Sequence, residues 1–365
     1  MYEQDLPLLR CPISQQLLRF GEILERAPDG EIINGSLVAG TSCYPIRNGI
    51  PRFIEDISYN ASWDFKWTHL DAGRGHNYRI IDKDDTAYAI HDIYDRNSHC
   101  GMAYRHMEGG RVLDLGCGIG QYAVKSLLEH PLAKVVAVDL TRGVDLFRQI
   151  VDARYPELKR RLLIVQASVF ALPFPPGSFD FVFSLGVLMH TGDTLRALDI
   201  ACKQVRDGGE LNVWIYCSES LAYDAVEPGR RHALNIANVK AFLRQHRYPM
   251  FWIHLFRKVP HRLALAIVRF FSSDAVYNLS KRKYFRWLAL LFPSVDHPDF
   301  DYRLINNYDG YINNWCDTWS EYEIFPTLRA NDIVIYGMSD WRLGIWGHKT
   351  LGYYPPLVPV DRPSC

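Results

Sequence analysis

The stretch RVLDLGCGIGQY, Arg111 to Tyr122, leaves this chain little choice of fold. An apolar run leads straight into Gly116, Gly118 and Gly120, and an amphipathic segment follows. Glycine at such a strand-to-helix turn permits positive φ and lets a ligand approach the backbone closely. A second apolar run, KVVAVDL at Lys134 to Leu140, ends on Asp139, 19 residues beyond Gly120. A carboxylate placed there can accept hydrogen bonds from both hydroxyls of a ribose. Strand, glycine turn, helix and spaced acid together predict a nucleoside site.

The alternation continues along the chain. Apolar strands are predicted at 111–115, 134–139, 162–166, 179–185 and 210–216, and helices at 120–130, 143–153 and 193–206. Strands and helices in strict alternation give an α/β fold, a parallel sheet with helices on both faces. The segment TWSEYEIFPTLRANDIVIYGMSDWRLGIWGH reads as helix, strand, turn and strand, able to complete that sheet. Five regions follow: a small β-rich module over 1–56, an aromatic cap or linker over 57–105, the nucleoside-binding core over 106–218, a helical basic and aromatic insertion over 219–310, and a C-terminal helix with strands over 311–365.

Two nucleosides satisfy the turn and the acid: NAD and S-adenosylmethionine (SAM). NAD seats a pyrophosphate on the helix N-terminus, with the glycines spaced G-x-G-x-x-G. Here the spacing is G-x-G-x-G, and Asp114 stands just before the first glycine. A carboxylate repels a pyrophosphate and attracts the ammonium of a methionine moiety, by several kcal/mol over ~4 Å in a partly buried site before desolvation is counted. The balance favours SAM.

VLDLGCGIG, VVAVDL, LPFPPGSFDFVFSLGVLMHT and DGGELNVWIY resemble the class I SAM-dependent methyltransferases, in particular small-molecule enzymes of the ubiquinone and menaquinone biosynthesis type. The resemblance covers about 111–217 and, more loosely, the segments after 318. It implies a Rossmann-like seven-stranded sheet with its last strand antiparallel, SAM as methyl donor and S-adenosylhomocysteine as product. It implies that Asp114, Gly116, Cys117, Gly118 and Gly120 hold the methionine end, Asp139 the ribose, and Leu140, Ser168 and Val169 the adenine, with Ser184 at the same edge. Where the family usually places an aspartate on the adenine amino group, this chain has Ser168, a weaker acceptor.

The acceptor is expected outside the carboxyl ends of the strands, where FVFSLGVLMHT delivers Met189 and His190 and NVWIYCSE delivers Tyr216. Methyl transfer from a sulfonium needs an aligned nucleophile and, for an OH or NH acceptor, removal of its proton. Imidazole titrates near neutrality, so His190 is the candidate base, or else a histidine bonded to a neighbouring loop. Tyr216 is the candidate orienting group, or a packing residue. Trp63, Phe65 and Trp67, spaced by two, offer an aromatic wall for a sulfonium or an apolar acceptor, or an anchor to the core.

LLRCPISQQLL and CYPIRNGIPRFI resemble the zinc-ribbon module that partners or is fused to certain methyltransferases. A structural zinc needs four soft ligands. Cys11 has Ser14 where a second cysteine would stand and Cys43 has no C-x-x-C companion, so a ribbon without metal is expected.

The whole chain carries 41 basic and 41 acidic residues and says nothing about partners through net charge. From Arg230 to Trp287, however, thirteen Lys/Arg face one acid, Asp274, interleaved with Trp, Phe and Leu. This insertion reads as a helical subdomain or homodimer interface, a lid over the acceptor site, an interfacial surface for a lipid-like substrate or membrane, or an RNA surface. The absence of any recognisable RNA module ranks the last lowest, and nothing points to DNA. No apolar run approaches the ~20 residues of a membrane span, no leader is visible, and eight scattered cysteines do not form a secreted framework, so a cytoplasmic protein is expected. The expected function is methyl transfer to a small apolar or aromatic metabolite. The alternatives are a SAM-using lyase or cyclase on the same fold, a non-catalytic scaffold subunit and, last, an RNA methyltransferase.

Overall fold

The computed structural model describes residues 1–54, 109–216, 258–285, 298–311, 317–338 and 343–350. The expected cap over 57–105 and much of the expected insertion over 219–310 lie outside these residues.

The glycine turn follows β5 (Arg111–Leu115) and opens α1 (Gln121–Glu129). The chain continues through β6 (Lys134–Asp139), α2 (Gly143–Arg154), β7 (Leu162–Gln166), β8 (Phe179–Leu185), α3 (Thr194–Gln204) and β9 (Val205–Trp214). Two strands near the end of the chain, β10 (Ile333–Met338) and β11 (Gly344–Lys349), follow α7 (Glu321–Ala330). The sheet has seven strands in the order β10-β11-β9-β8-β5-β6-β7. Neighbours from β9 through β8, β5 and β6 to β7 are parallel, and β11 runs antiparallel to both β9 and β10. All of β7 and nearly all of β5 and β6 are buried, because both faces of the sheet are covered. Leu113, Val136 and Leu163 join α3 and α7 residues such as Ala197, Leu198 and Leu328 in one apolar cluster. Val112, Val135 and Ile164 join Ala123, Leu127, Phe147 and Val151 of α1 and α2 in the other.

Strand β9 begins earlier than the expected 210–216. Phe179 pairs with Val205 but Phe181 pairs with Glu210, so the intervening residues bulge out of the ladder. Gly208 takes a φ of +71° there, and a Cβ on Gly209 would lie 2.8 Å from the Asp180 carbonyl oxygen. The DGG ahead of the expected start is a bulge inside the strand.

The N-terminal module is a four-stranded antiparallel sheet, β1 (Arg19–Arg26), β2 (Ile32–Ala39), β3 (Ser42–Arg47) and β4 (Ile50–Pro51). Its Leu9, Ile32, Leu37, Ile46 and Phe53 belong to the same apolar cluster as one face of the large sheet. Polar contacts align the docking. The Arg10 amide donates to the Pro173 carbonyl at 2.8 Å, and Glu31, almost fully buried, pairs with Arg148 of α2 and with the Met1 ammonium at 3.1 Å. Past β4, Arg52 bridges in parallel to Gln166 and the Phe53 amide donates to the Gln166 carbonyl at 2.8 Å. The module thus meets the β7 edge at its carboxyl end, where it satisfies the Gln166 carbonyl. Cys11 is buried, 3.2 Å from the Tyr44 hydroxyl, while Cys43, one residue along β3, faces solvent.

The described part of the insertion is helical: α4 (His261–Phe271), α5 (Asp274–Ser280) and α6 (Phe300–Tyr311). They close on Arg303, fully buried, which donates to the carbonyls of Ser272 and Pro298, pairs with Asp274 and stacks over the Tyr277 ring at 4.8 Å. No helix among the described residues is long and apolar enough to cross a membrane.

Candidate functional site

Strand order reverses on either side of β5, so the crevice at the carboxyl ends of β5, β6 and β8 is where this class of sheet binds ligands. The glycine turn is laced to the end of β6: the amides of Gly116 and Cys117 donate to the Val138 carbonyl at 2.7 and 2.9 Å. Gly116 has a φ of +88° and Gly120 one of +79°. A Cβ at 116 would meet Val187 at 2.3 Å and one at 120 would meet the Phe147 ring at 2.1 Å. Both positions therefore demand glycine for conformation and for space.

Two carboxylates flank this turn. Asp114 is 2% exposed and its Oδ2 has no hydrogen-bond partner. Burial, then the Asp139 charge, pushes the Asp114 carboxyl well above its ordinary range, against the pull of an Ala123 backbone hydrogen bond. An orphaned buried carboxylate oxygen marks a group waiting for a cation or a donor. Asp139 is already engaged: its Oδ2 accepts the Gly118 amide at 2.8 Å, and its Oδ1 accepts the Thr141 amide at 2.8 Å and the Thr141 hydroxyl at 2.6 Å. Burial, then the charges of Asp114 and Asp139, pushes the Cys117 thiol well up, which keeps it neutral.

The next loop continues the floor of the crevice. The carbonyls of Leu140 and Thr141 accept from Gln166 Nε2 at 3.1 and 3.3 Å. Ser168 caps a 3-10 turn over Val169–Ala171, its hydroxyl accepting the Phe170 amide at 3.2 Å. Ser184 is fully buried and its hydroxyl donates to the Leu115 carbonyl at 2.8 Å, tying β8 to the end of β5.

On the β8 and β9 side, His190 ends the short turn Leu188–His190 and Tyr216 follows β9. Their rings meet edge to face with centroids 5.4 Å apart, and Trp214 packs on Tyr216 at 5.2 Å. The structure brings this expected pair together. Met189 is 0% exposed and sits in the core cluster with α3, so its side chain does not line the crevice. Trp63 and Trp67 lie outside the described residues. One segment escaped sequence reasoning: ahead of α7, the Asp317 amide donates to the Met189 carbonyl at 3.1 Å and the Trp319 amide to the Tyr216 carbonyl at 2.9 Å. The Ser320–Glu323 capping box signals the helix start, but nothing local tells where its lead-in lands.

Residues 113–213 match the Methyltransferase domain family. The matched residues hold most of β5 through β9, five of the seven strands of the Rossmann-like sheet. Among curated relatives, malonyl-[acyl-carrier protein] O-methyltransferases are 45% identical over 89 residues in Halorhodospira halophila and 33% over 88 in Legionella pneumophila. Each alignment covers 24% of this chain, and 28% and 29% of those proteins. The 27-O-demethylrifamycin SV methyltransferase of Amycolatopsis mediterranei is 28% identical over 108 residues, 28% of this chain and 37% of that protein. The chain thus spans well under half the length of these relatives.

Proposed function

We propose that this chain is a SAM-dependent methyltransferase acting on a small apolar or aromatic metabolite. The observation that supports it most is the unpartnered, buried Oδ2 of Asp114 beside the glycine turn. That oxygen suits the ammonium of a methionine moiety and repels a pyrophosphate. Asp139 would take the ribose, with the Thr141 hydroxyl yielding its place on Oδ1, while Leu140, Ser168 and Val169 border the adenine. SAM supplies an electrophilic methyl on a sulfonium. The chain's part is to align the acceptor and, for an OH or NH nucleophile, to receive its proton, a role for which His190 with Tyr216 against it is the candidate. The aromatic Trp214–Tyr216 pair beside it favours an apolar or aromatic acceptor.

The deciding experiment is calorimetric titration of the full chain with SAM, S-adenosylhomocysteine and NAD, with Asp139→Ala as control. Micromolar binding of both sulfur nucleosides, lost in the variant, is the expected result. Binding of NAD alone, or of none of the three, sinks the proposal.

For the N-terminal module, the reading is a zinc-ribbon relative that holds no metal. Its support is that Cys11 is buried on the Tyr44 hydroxyl while Cys43 faces solvent, so the two thiols do not converge. Elemental analysis finding one zinc per chain would overturn it.

A further inference from the structure

The N-terminal module does more than meet an edge. Its Arg52 reaches into the floor of the nucleoside crevice through one glutamine. Gln166 is 1% exposed and every polar atom of its amide is engaged. Its Oε1 accepts Arg52 Nη1 at 2.6 Å, and its Nε2 donates to the Leu140 and Thr141 carbonyls at 3.1 and 3.3 Å. A guanidinium only donates and a carbonyl only accepts, so the amide can sit one way round and no other. The other arm of the same guanidinium, Nη2, holds Asp145 Oδ1 at 2.5 Å, in the first turn of α2. Arg52 therefore grips the loop between β6 and α2 from both ends: Leu140 and Thr141 by way of Gln166, and Asp145 directly. That loop presents the Thr141 amide and hydroxyl to Asp139 and carries Leu140. Arg52 itself is set by the sheet edge, its amide donating to the Pro45 carbonyl at 2.9 Å and its backbone bridging to Gln166.

We propose that Arg52 is a positioning residue for the adenosine half of the cofactor, and that the N-terminal module is thereby a working part of the cofactor site. The inference rests on the SAM reading above. It requires that the loop be held for binding, so breaking the relay weakens the nucleoside end and leaves the glycine turn intact.

The test uses the full chain and three variants, titrated at 15 °C with S-adenosylhomocysteine and with 5′-methylthioadenosine, which lacks the amino-acid end. Arg52→Ala removes both grips. Arg52→Lys keeps a charge beside Asp145 and gives up the fork. Gln166→Glu keeps an acceptor for Arg52, hence the docking, but turns a carboxylate toward two carbonyls. Gln166→Glu is expected to weaken both ligands by the same factor, tenfold or more, and to lower the midpoint of the ligand-free protein, since its buried carboxylate faces two carbonyls; the affinities are read at 15 °C on the folded fraction. Arg52→Ala should weaken both at least as much and also lower the midpoint, and Arg52→Lys should restore the midpoint more fully than the affinity. A purely structural Arg52 would move the midpoint and leave the affinities of the folded variants within twofold of wild type, and that result overturns the proposal. Should Arg52→Ala fail to fold, Gln166→Glu and Arg52→Lys decide the matter. If the wild type itself binds neither ligand, the SAM reading fails and takes this inference with it.

Discussion

The ring of Phe147 occupies the space that any side chain at Gly120 would need: a Cβ there would meet it at 2.1 Å. Gly120 is the N-cap of α1 and Phe147 lies in the middle of α2, so the two helices that flank the turn are packed across a missing methyl group. Gly120→Ala combines overpacking with an unfavourable φ and should cost about 2–4 kcal/mol. Chemical denaturation would show it as a lower midpoint at unchanged slope. Pairing it with Phe147→Leu should recover part of the loss, because the clash goes while the φ penalty stays.

Asp114 is expected to be a stability liability in the ligand-free protein. It faces the Asp139 charge, the neutral Cys117 thiol and the Ala123 amide, and its folded pKa is raised, by burial first and by Asp139 next. A carboxyl raised on folding loses stability as pH climbs from its unfolded pKa toward its folded one. Asp114→Asn should therefore raise the ligand-free melting temperature by roughly 2–6 °C near neutral pH and converge on wild type near pH 4. The same variant should lose affinity for S-adenosylhomocysteine at least tenfold, measured by calorimetry.

Glu31 behaves in the opposite sense. Burial opposes its charge, but Arg148 and the Met1 ammonium prevail and hold its carboxyl below the ordinary range. Its contribution is present above the unfolded pKa and fades as pH falls through the lower, folded value. Glu31→Gln leaves the Met1 ammonium buried without its paired carboxylate and Arg148 with Asp152 alone, so a loss of about 3 kcal/mol is expected at pH 7. The gap to wild type should narrow below about pH 4.5. Thermal scans across pH 3 to 8 would check both the size and the direction.

Ser168 caps its short turn through the Phe170 amide. Aspartate is an equally good cap and a charged acceptor. Ser168→Asp should keep the turn and tighten S-adenosylhomocysteine by about 3- to 10-fold, worth roughly 1 kcal/mol of charge-assisted hydrogen bonding. Unchanged affinity would mean the adenine amino group does not reach this position.

The central strands were legible because a parallel strand covered on both faces is apolar along most of its length. Hence 111–115, 134–139, 162–166 and 179–185 were read at the bounds the structure has. The start of β9 was not, since Gly208 and Gly209 bulge where glycine pairs usually turn. Residue type at a strand end also says little about direction. Ser184 and Met189 both stand at the right edge, yet one bonds the Leu115 carbonyl and the other fills the core. His190 and Tyr216, which follow different strands, meet. The docking of the first sheet was invisible because its contacts are long-range: Arg52 and Gln166 are 114 positions apart, and nothing beside either one names the other.

That separation also sets a schedule. The first four strands leave the ribosome well before the residues they lean on, and at roughly 5–20 residues per second the interval to Gln166 is about 6–23 s. For that time Phe53 lacks its strand β7 neighbours, and Arg52 has no Gln166 to hold. The nascent chain must carry a small, half-finished sheet through synthesis, and this early stage is when chaperones have most to gain by holding it.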